Sequence, residues 1–183
     1  RAATPTSDLS DAALSRLGAP ARSAVGRWES LASLPTARSR LAVTAHDGLL
    51  YAIGVAGPEA VTGAVDVYDP KTNGWLPRSD KPTAVANAQA AALDGLIFVP
   101  GGTAVDGAAS QVLEVYDPLA DRWDVRQPLP LPLAGYAMAA LNGQLYLFGG
   151  WNGSAYVDTL LVYDVARDEW STRSPLPVAL GFG

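Results

Sequence analysis

The chain has 183 residues, 49% of them hydrophobic and 17% charged, and its net charge of -5 comes from 13 basic and 18 acidic residues. No apolar run is long enough to cross a bilayer, and the acidic balance argues against a nucleic-acid partner. The absence of cysteine excludes a disulfide framework, a thiolate zinc site and a cysteine nucleophile, and it fits either an oxidising or a reducing compartment.

The first 24 residues are rich in alanine, serine, threonine and proline. Ser10 is placed to cap a short helix that ends at Gly18. Because so short a helix is marginal without a surface to pack on, we predict a linker or docking arm over 1–24. The remaining residues, 25–183, are predicted to form one repeat-built segment.

Four tryptophans mark this repeat, at separations of 47, 48 and 47 residues: Trp28, Trp75, Trp123 and Trp170. A turn dipeptide begins 19 residues after each of the first three, at Asp47-Gly48, Asp94-Gly95 and Asn142-Gly143. A proline follows each tryptophan by seven residues, at Pro35, Pro82, Pro130 and Pro177. The frame predicts three full repeats, over 29–75, 76–123 and 124–170, with partial repeats at both ends.

Each repeat predicts four antiparallel strands. Asp-Gly or Asn-Gly between two apolar runs is typical of a β-hairpin with a type I′ turn. The predicted hairpin strands are 41–45 with 49–53, 89–93 with 96–99, and 136–141 with 144–148. A glycine-rich loop follows each hairpin, then a strand ending in Tyr-Asp, then a tight turn into the tryptophan strand. Proline cannot donate to a sheet ladder, so the proline positions are connections between repeats.

These landmarks resemble the kelch repeat family over residues 26–177. The matching positions are the four tryptophans, the doublets Gly101-Gly102 and Gly149-Gly150, and the pairs Tyr68-Asp69, Tyr116-Asp117 and Tyr163-Asp164. The resemblance implies an all-β fold, with kelch-type β-propeller blades of four antiparallel strands in an incomplete ring. The first unit departs from the pattern because Gly54 is followed by Val55, so its second and third strands should be joined differently.

The repeated residues are expected to be structural. The tryptophan rings should fill the wedge between neighbouring blades. The glycine doublets should turn through positive φ where a side chain would clash, and the aspartate after each tyrosine should accept backbone N–H groups of the next turn. Because these aspartates occur once per blade, they should lie too far apart to hold a metal.

In a resembling propeller, one face gathers the loops 56–63, 103–110 and 151–157 with the connections 29–36, 76–83 and 124–131, and this face usually binds the ligand. Trp151 lies outside the repeat frame, where it either stacks on a sugar or anchors a peptide, or packs on the adjacent blade. Arg38 and Arg40 either present charge to the central channel or form a solvated pair beside Glu29 or Asp80. The candidate ligand-binding residues are Trp151, Arg38, Arg40, Asn87 and Asn152.

The sequence predicts no catalytic residue, no metal site and no cofactor. His46 is the only histidine and precedes a hairpin turn, so neither a Ser-His-Asp triad nor a nitrogen and sulfur metal site is supported. Copper oxidases resembling kelch proteins use a cysteine-linked tyrosine, which this chain cannot supply.

Three functions remain open at this point. The first is a non-catalytic protein–protein interaction or scaffolding module, whose partner is a protein or further blades. The second is a carbohydrate-binding or sugar-mutarotase-like propeller, and the third is a structural subunit of a larger assembly. Because the last repeat is begun but not completed, we expect the chain to be a fragment that self-associates or needs a partner when isolated.

Overall fold

The computed structural model describes residues 28–56 and 60–181. The chain divides into two compact units, Arg1–Leu31 and Ala32–Gly183, and the predicted arm over 1–24 lies outside the described residues. Within the second unit, the described residues form three four-stranded sheets that do not close a ring. No helix in this part of the chain is long and apolar enough to span a membrane.

Each sheet is one antiparallel blade whose strands pair in chain order. Blade 1 consists of β1 (Ala42–His46), β2 (Leu49–Ala56), β3 (Val61–Asp69) and β4 (Gly74–Arg78). Blade 2 consists of β5 (Ala91–Leu93), β6 (Leu96–Pro100), β7 (Leu113–Asp117) and β8 (Arg122–Arg126). Blade 3 consists of β9 (Ala137–Leu141), β10 (Gln144–Phe148), β11 (Leu160–Asp164) and β12 (Glu169–Arg173). The all-β fold and the four-stranded blades predicted from the sequence are therefore confirmed.

The first two strands of every blade are joined by the predicted two-residue turn. Both residues have positive φ in each turn, with 49° and 75° at Asp47 and Gly48, 51° and 82° at Asp94 and Gly95, and 51° and 75° at Asn142 and Gly143. Positive φ at both central positions is the requirement of a type I′ turn. These three dipeptides therefore predict the register of the first two strands in every blade.

Blade 1 departs from the other two where the sequence predicted it. Strands β2 and β3 extend beyond their counterparts, and their register shifts between Ile53 and Val55. A shift of this kind is a β-bulge, which bends the strand and changes its twist. Because β2 continues to Ala56 and β3 begins at Val61, the loop predicted over 56–63 is shorter than expected.

The hydrophobic core lies between successive blades. Tyr51 and Ile53 of blade 1 pack with Ile97, Val99 and Tyr116 of blade 2 in one buried cluster. A second cluster joins blades 2 and 3 in the same way; it includes Phe98, Leu113, Leu145, Leu147 and Tyr163. Because the buried surface is shared, each blade depends on its neighbour for its stability.

A polar clasp repeats at the outer edge of every blade. In blade 3, Asp168 accepts hydrogen bonds from the Tyr163 hydroxyl and from the Gln127 N–H, and Trp170 donates its indole N–H to the Gln127 carbonyl at 2.8 Å. Blade 2 repeats the arrangement with Tyr116, Asp121 and Trp123 around Ser79. Blade 1 does so with Tyr68, Asn73 and Trp75 around Ala32. One clasp thus holds both backbone polar groups of a residue that lies more than 40 positions earlier.

Two of the repeat tryptophans, Trp123 and Trp170, are partly buried and pack against the two core clusters that lie between successive blades. Trp75, Trp123 and Trp170 are partly buried on the outermost strands, each against the tyrosine of its own blade, with ring centroids 4.9–5.1 Å apart. Trp28 belongs to the first compact unit, and its side chain is 99% exposed.

The aspartates of the Tyr-Asp pairs accept backbone N–H groups, as their turn position suggested. The Oδ1 atom of Asp69 accepts from the Lys71 N–H, and that of Asp164 accepts from the Arg167 N–H. Asp117 accepts from two successive N–H groups of its turn. These bonds form local Asx-type turns, which lead the chain into the outermost strand of each blade.

We expect Trp123→Ala to lower the free energy of unfolding by roughly 2–3 kcal/mol, below the usual loss for a fully buried tryptophan, because the ring is only partly buried. Trp123→Phe should lose about 1 kcal/mol, since it keeps the contact with Tyr116 and loses only the bond to Ser79. Urea denaturation measures both. Trp28→Ala is the matched control and should change stability by less than about 0.5 kcal/mol; a comparable loss there would contradict the clasp.

The clasps also predict acid sensitivity. Hydrogen bonds from Tyr116 and from the Ser79 N–H lower the pKa of Asp121 below its ordinary value. A lowered folded-state pKa gives a stabilisation that is complete above the unfolded value of about 3.9 and is lost as pH falls through the folded value. Asp121→Asn, which copies Asn73 of blade 1, should therefore reduce the fall in Tm below about pH 4.

The reciprocal variant Asn73→Asp should increase that fall, because it places a carboxylate in the blade 1 clasp. The Tm of all three proteins is measured by circular dichroism between about pH 3 and pH 7, a range that includes the carboxylate pKa of about 3.9. Identical pH profiles for the wild type and both variants would show that the clasp carboxylate does not contribute to acid unfolding.

Candidate binding cleft on the loop face

In blades 2 and 3, the loop between the second and third strands is hydrogen-bonded to the segment that precedes the first strand of the same blade. In blade 3, the Trp151 N–H donates to the Ala134 carbonyl at 2.8 Å, and the Ala134 N–H donates to the Trp151 carbonyl at 3.0 Å. Blade 2 forms the same bridge between Thr103 and Ala86. The loop residues that follow the glycine doublets are therefore fixed by their backbones.

Three residues with positive φ connect the blades next to these bridges. Arg40, Asn87 and Gly135 each lie 12 residues after a repeat tryptophan and have φ of 57°, 54° and 57°. The Asn87 N–H donates to the Arg40 carbonyl at 3.0 Å, and the Gly135 N–H donates to the Asn87 carbonyl at 2.8 Å. This chain of bonds fixes the spacing of the three blade entries.

An open cleft of about 320 Å³ lies between the loops of blades 2 and 3. It is lined by Asn87, Thr103, Gly107, Ala134, Gly135, Trp151 and Tyr156. The rings of Trp151 and Tyr156 meet nearly edge to face, with centroids 5.3 Å apart and planes at 67°. Both are exposed, Trp151 by 36% and Tyr156 by 56%. The Asn87 amide donates to the Thr103 hydroxyl at 3.2 Å.

The family model for the Kelch motif matches residues 84–130 and 132–177, just over half of the chain. The chain belongs to the kelch repeat family. The match begins at the connection into blade 2 and ends in the segment after blade 3, so the cleft lies between two kelch motifs.

Curated relatives and a solved structure agree with this assignment. The chain is 37% identical to human Kelch-like protein 33 over 75 residues, and 41% identical to Kelch-like protein 35 of Mus musculus over 76 residues. Each match covers 41% of this chain but only 14% and 13% of the relatives, so the chain spans a small part of their length. The solved structure of YjhT superposes with a TM-score of 0.78 at 21% identity, over 85% of this chain and 57% of that one, which shows a shared fold.

Two of the five predicted ligand-binding residues line the kelch cleft together, namely Trp151 and Asn87. Tyr156 was missed, although it follows Trp151 by five residues in the same loop. Thr103, at the start of the predicted loop 103–110, and Gly135 were not predicted to bind a ligand, and both line the cleft. The sequence does not indicate that these two residues line the cleft, because their position depends on how the backbone bonds bring two blades together.

Arg38 is not a channel residue or a solvated one, and both alternatives predicted for it are wrong. Its side chain is 1% exposed and forms an ion pair with Asp66 of β3, while its Nη1 donates to the Ala64 carbonyl at 3.4 Å. Burial lowers the pKa of Arg38, and the charge of nearby Asp80 acts in the opposite direction. The side chain therefore joins the chain entering blade 1 to the third strand of that blade.

The other two predicted residues have backbone or loop roles. Arg40 has an exposed side chain outside the cleft lining, and its carbonyl supports Asn87. Asn152 accepts three hydrogen bonds with its Oδ1 atom, from the Ser154 N–H, the Ser154 hydroxyl and the Ala155 N–H. Its amide thus shapes the loop that carries Trp151 and Tyr156.

The cleft offers aromatic surface, an amide and hydroxyl groups, and Tyr156 is the one titratable side chain in its lining. His46 lies at the opposite ends of the strands, beside Asp47 in a hairpin turn. Among the described residues, no three His, Cys, Asp or Glu side chains are grouped to hold a metal ion. The arrangement is suited to non-covalent recognition.

Proposed function

We propose that this chain is a non-catalytic protein-interaction module, and that its kelch repeats 29–75, 76–123 and 124–170 present a partner-binding loop face. The single observation that carries the proposal is the open cleft with the exposed Trp151–Tyr156 pair between two blades. Membership of the kelch family and similarity to Kelch-like proteins support the same class of function.

A partner that binds this loop would lose little free energy in ordering it. Tryptophan and tyrosine are the residues that most often dominate protein interfaces, because each ring removes a large apolar area from water. The backbone of Trp151 is already fixed by its two bonds to Ala134, and the loop beyond it is closed by Asn152. A partner therefore need not order this loop, which removes a usual penalty of association.

Crosslinking of the purified chain to proteins from its own source, read by mass spectrometry, tests the proposal. Trp151→Ala should reduce recovery of loop-face crosslinked partners at least about tenfold, as expected when an anchor residue is truncated. Val125→Ala is the matched control, since Val125 is 68% exposed on β8 and lies outside the cleft. Equal recovery with Trp151→Ala and the wild type would contradict a loop-face interface.

Carbohydrate binding is the second candidate, and the observation that favours it is that Asn87 and Thr103 line the same cleft as an exposed tryptophan. A sugar ring would stack on Trp151 and exchange hydrogen bonds with the amide and hydroxyl groups. Arg38 is not available to bind a sugar carboxylate, because its guanidinium already forms an ion pair with Asp66. Saturable binding on a glycan array that is lost in Trp151→Ala would favour this candidate.

A further inference from the structure

We propose that the cleft binds an uncharged, proline-containing segment in an extended polyproline II conformation. This inference rests on the proposed function and names the chemistry of the partner. Four features of the cleft support it: the angle between the two rings, their unused hydrogen-bond donors, the absence of charged side chains from the described lining and the backbone contacts that hold the aromatic pair.

The two rings form a notch with two walls. Their planes meet at 67° with centroids 5.3 Å apart, so the Trp151 and Tyr156 rings line the cleft at an angle to each other. A pyrrolidine ring is compact and puckered and can contact both walls, whereas a pyranose stacks best on one flat, open face. Aromatic-lined grooves are the usual docking sites of proline-rich segments, whose fixed φ means that little conformational entropy is lost on binding.

Both rings also keep a free donor. The indole N–H groups of Trp75, Trp123 and Trp170 donate to backbone carbonyls of the clasps. Within the described residues, neither the Trp151 indole N–H nor the Tyr156 hydroxyl donates to a protein acceptor. A polyproline II segment has carbonyl groups without internal hydrogen bonds, so its acceptors match these two donors.

Among the described residues, no Lys, Arg, Asp or Glu side chain lines the cleft. A strongly acidic or basic peptide would lose hydration in the cleft without gaining an opposite charge, which disfavours it. A neutral segment has no such penalty, and its binding should depend little on salt.

The aromatic pair is rigid before any ligand arrives. A Cβ atom added to Gly181 would lie 2.1 Å from both Cδ1 and Cε1 of Tyr156, so the tyrosine ring rests directly on the Gly181 backbone. Trp151 is held by its bridges to Ala134 and Tyr156. The notch is therefore a preformed feature of the loop face, and a bound segment would not have to create it.

The test is a titration of the ¹⁵N-labelled chain with synthetic peptides, followed through its indole N–H resonances. The probes are capped peptides of repeated Ala-Pro-Pro, the same peptide with glycine for proline, and one of repeated Glu-Pro-Pro; maltohexaose is the sugar probe. We expect Ala-Pro-Pro to shift the Trp151 indole signal saturably, at low and high salt alike, and the other tryptophan signals little.

Two conservative variants identify the donors. Trp151→Phe and Tyr156→Phe each keep a ring and lose a donor, and each should weaken binding about fivefold, the effect of one net hydrogen bond. Trp151→Ala should weaken it more than tenfold, while Val125→Ala should bind as the wild type does. Unchanged affinity in both phenylalanine variants would overturn the assignment of the donors and with it the proposal.

Equal binding of the glycine peptide, tighter binding of the Glu-Pro-Pro peptide, or a Trp151 shift with maltohexaose and not with Ala-Pro-Pro would also overturn it. This failure is distinguishable from failure of the proposed function. If Trp151→Ala abolishes crosslinking to a protein partner while Ala-Pro-Pro does not bind, the loop face is a protein interface for a different kind of segment.

Discussion

Replacing Glu114 with leucine should lower the free energy of unfolding by about 3–5 kcal/mol, the usual loss when one partner of a buried ion pair is removed. Lys81 donates its Nζ to a Glu114 carboxylate oxygen and to the Thr83 carbonyl, and its side chain is fully buried. Without the carboxylate, the ammonium group would remain in an environment that already lowers the pKa of Lys81 by desolvation. Urea denaturation at neutral pH measures the loss.

The chain itself supplies the compensating variant. Leu129 and Leu161 occupy the positions in the next blade that correspond to Lys81 and Glu114, and both are buried in the second core cluster. The double variant Lys81→Leu/Glu114→Leu should therefore recover most of the loss and unfold within about 1–2 kcal/mol of the wild type, since Thr83 still loses its carboxylate acceptor. A double variant no more stable than Glu114→Leu would show that the ion pair is not the source of the loss.

The hairpins, the glycine doublets and the order of the strands could be read from the sequence because each depends on a few adjacent residues. Asn142 and Gly143 determine their turn through their own φ preferences, whatever packs around them. Repetition in three copies then removed the ambiguity that a single Asn-Gly would leave. This is why the blade architecture was predicted almost completely.

The side-chain partners were harder to predict because they lie on different blades. The clasp acceptors Asn73, Asp121 and Asp168 stand two residues before their tryptophans, a regularity visible in the sequence, but their targets lie more than 40 residues earlier. Arg38 and Asp66 are separated by 28 positions, and no local pattern pairs them. The cleft was predicted only in part for the same reason. Trp151 was recognisable as a tryptophan outside the repeat, whereas Tyr156 is brought beside it only by the loop conformation.

Gly101→Ala should be the second severe substitution, with a loss of roughly 2–4 kcal/mol. Gly101 has φ of 60°, and a Cβ atom there would lie 2.3 Å from the Leu133 carbonyl oxygen of the chain entering blade 3. That carbonyl cannot withdraw easily, because it accepts the Gly102 N–H at 2.8 Å. Overpacking against backbone adds about 1–3 kcal/mol to the strain of alanine at positive φ.

Gly107→Ala separates the two contributions. Gly107 also has positive φ, at 83°, but no atom lies within 4 Å of its added Cβ, so it should lose only the conformational part, about 1 kcal/mol. Gly149→Ala should resemble Gly101→Ala, since its Cβ would lie 2.4 Å from the Leu180 carbonyl oxygen. Thermal and urea unfolding of the three variants measure the difference. If Gly101→Ala and Gly107→Ala lost the same stability, the first glycine of each doublet would be required by its φ alone and not by the close passage of the next blade.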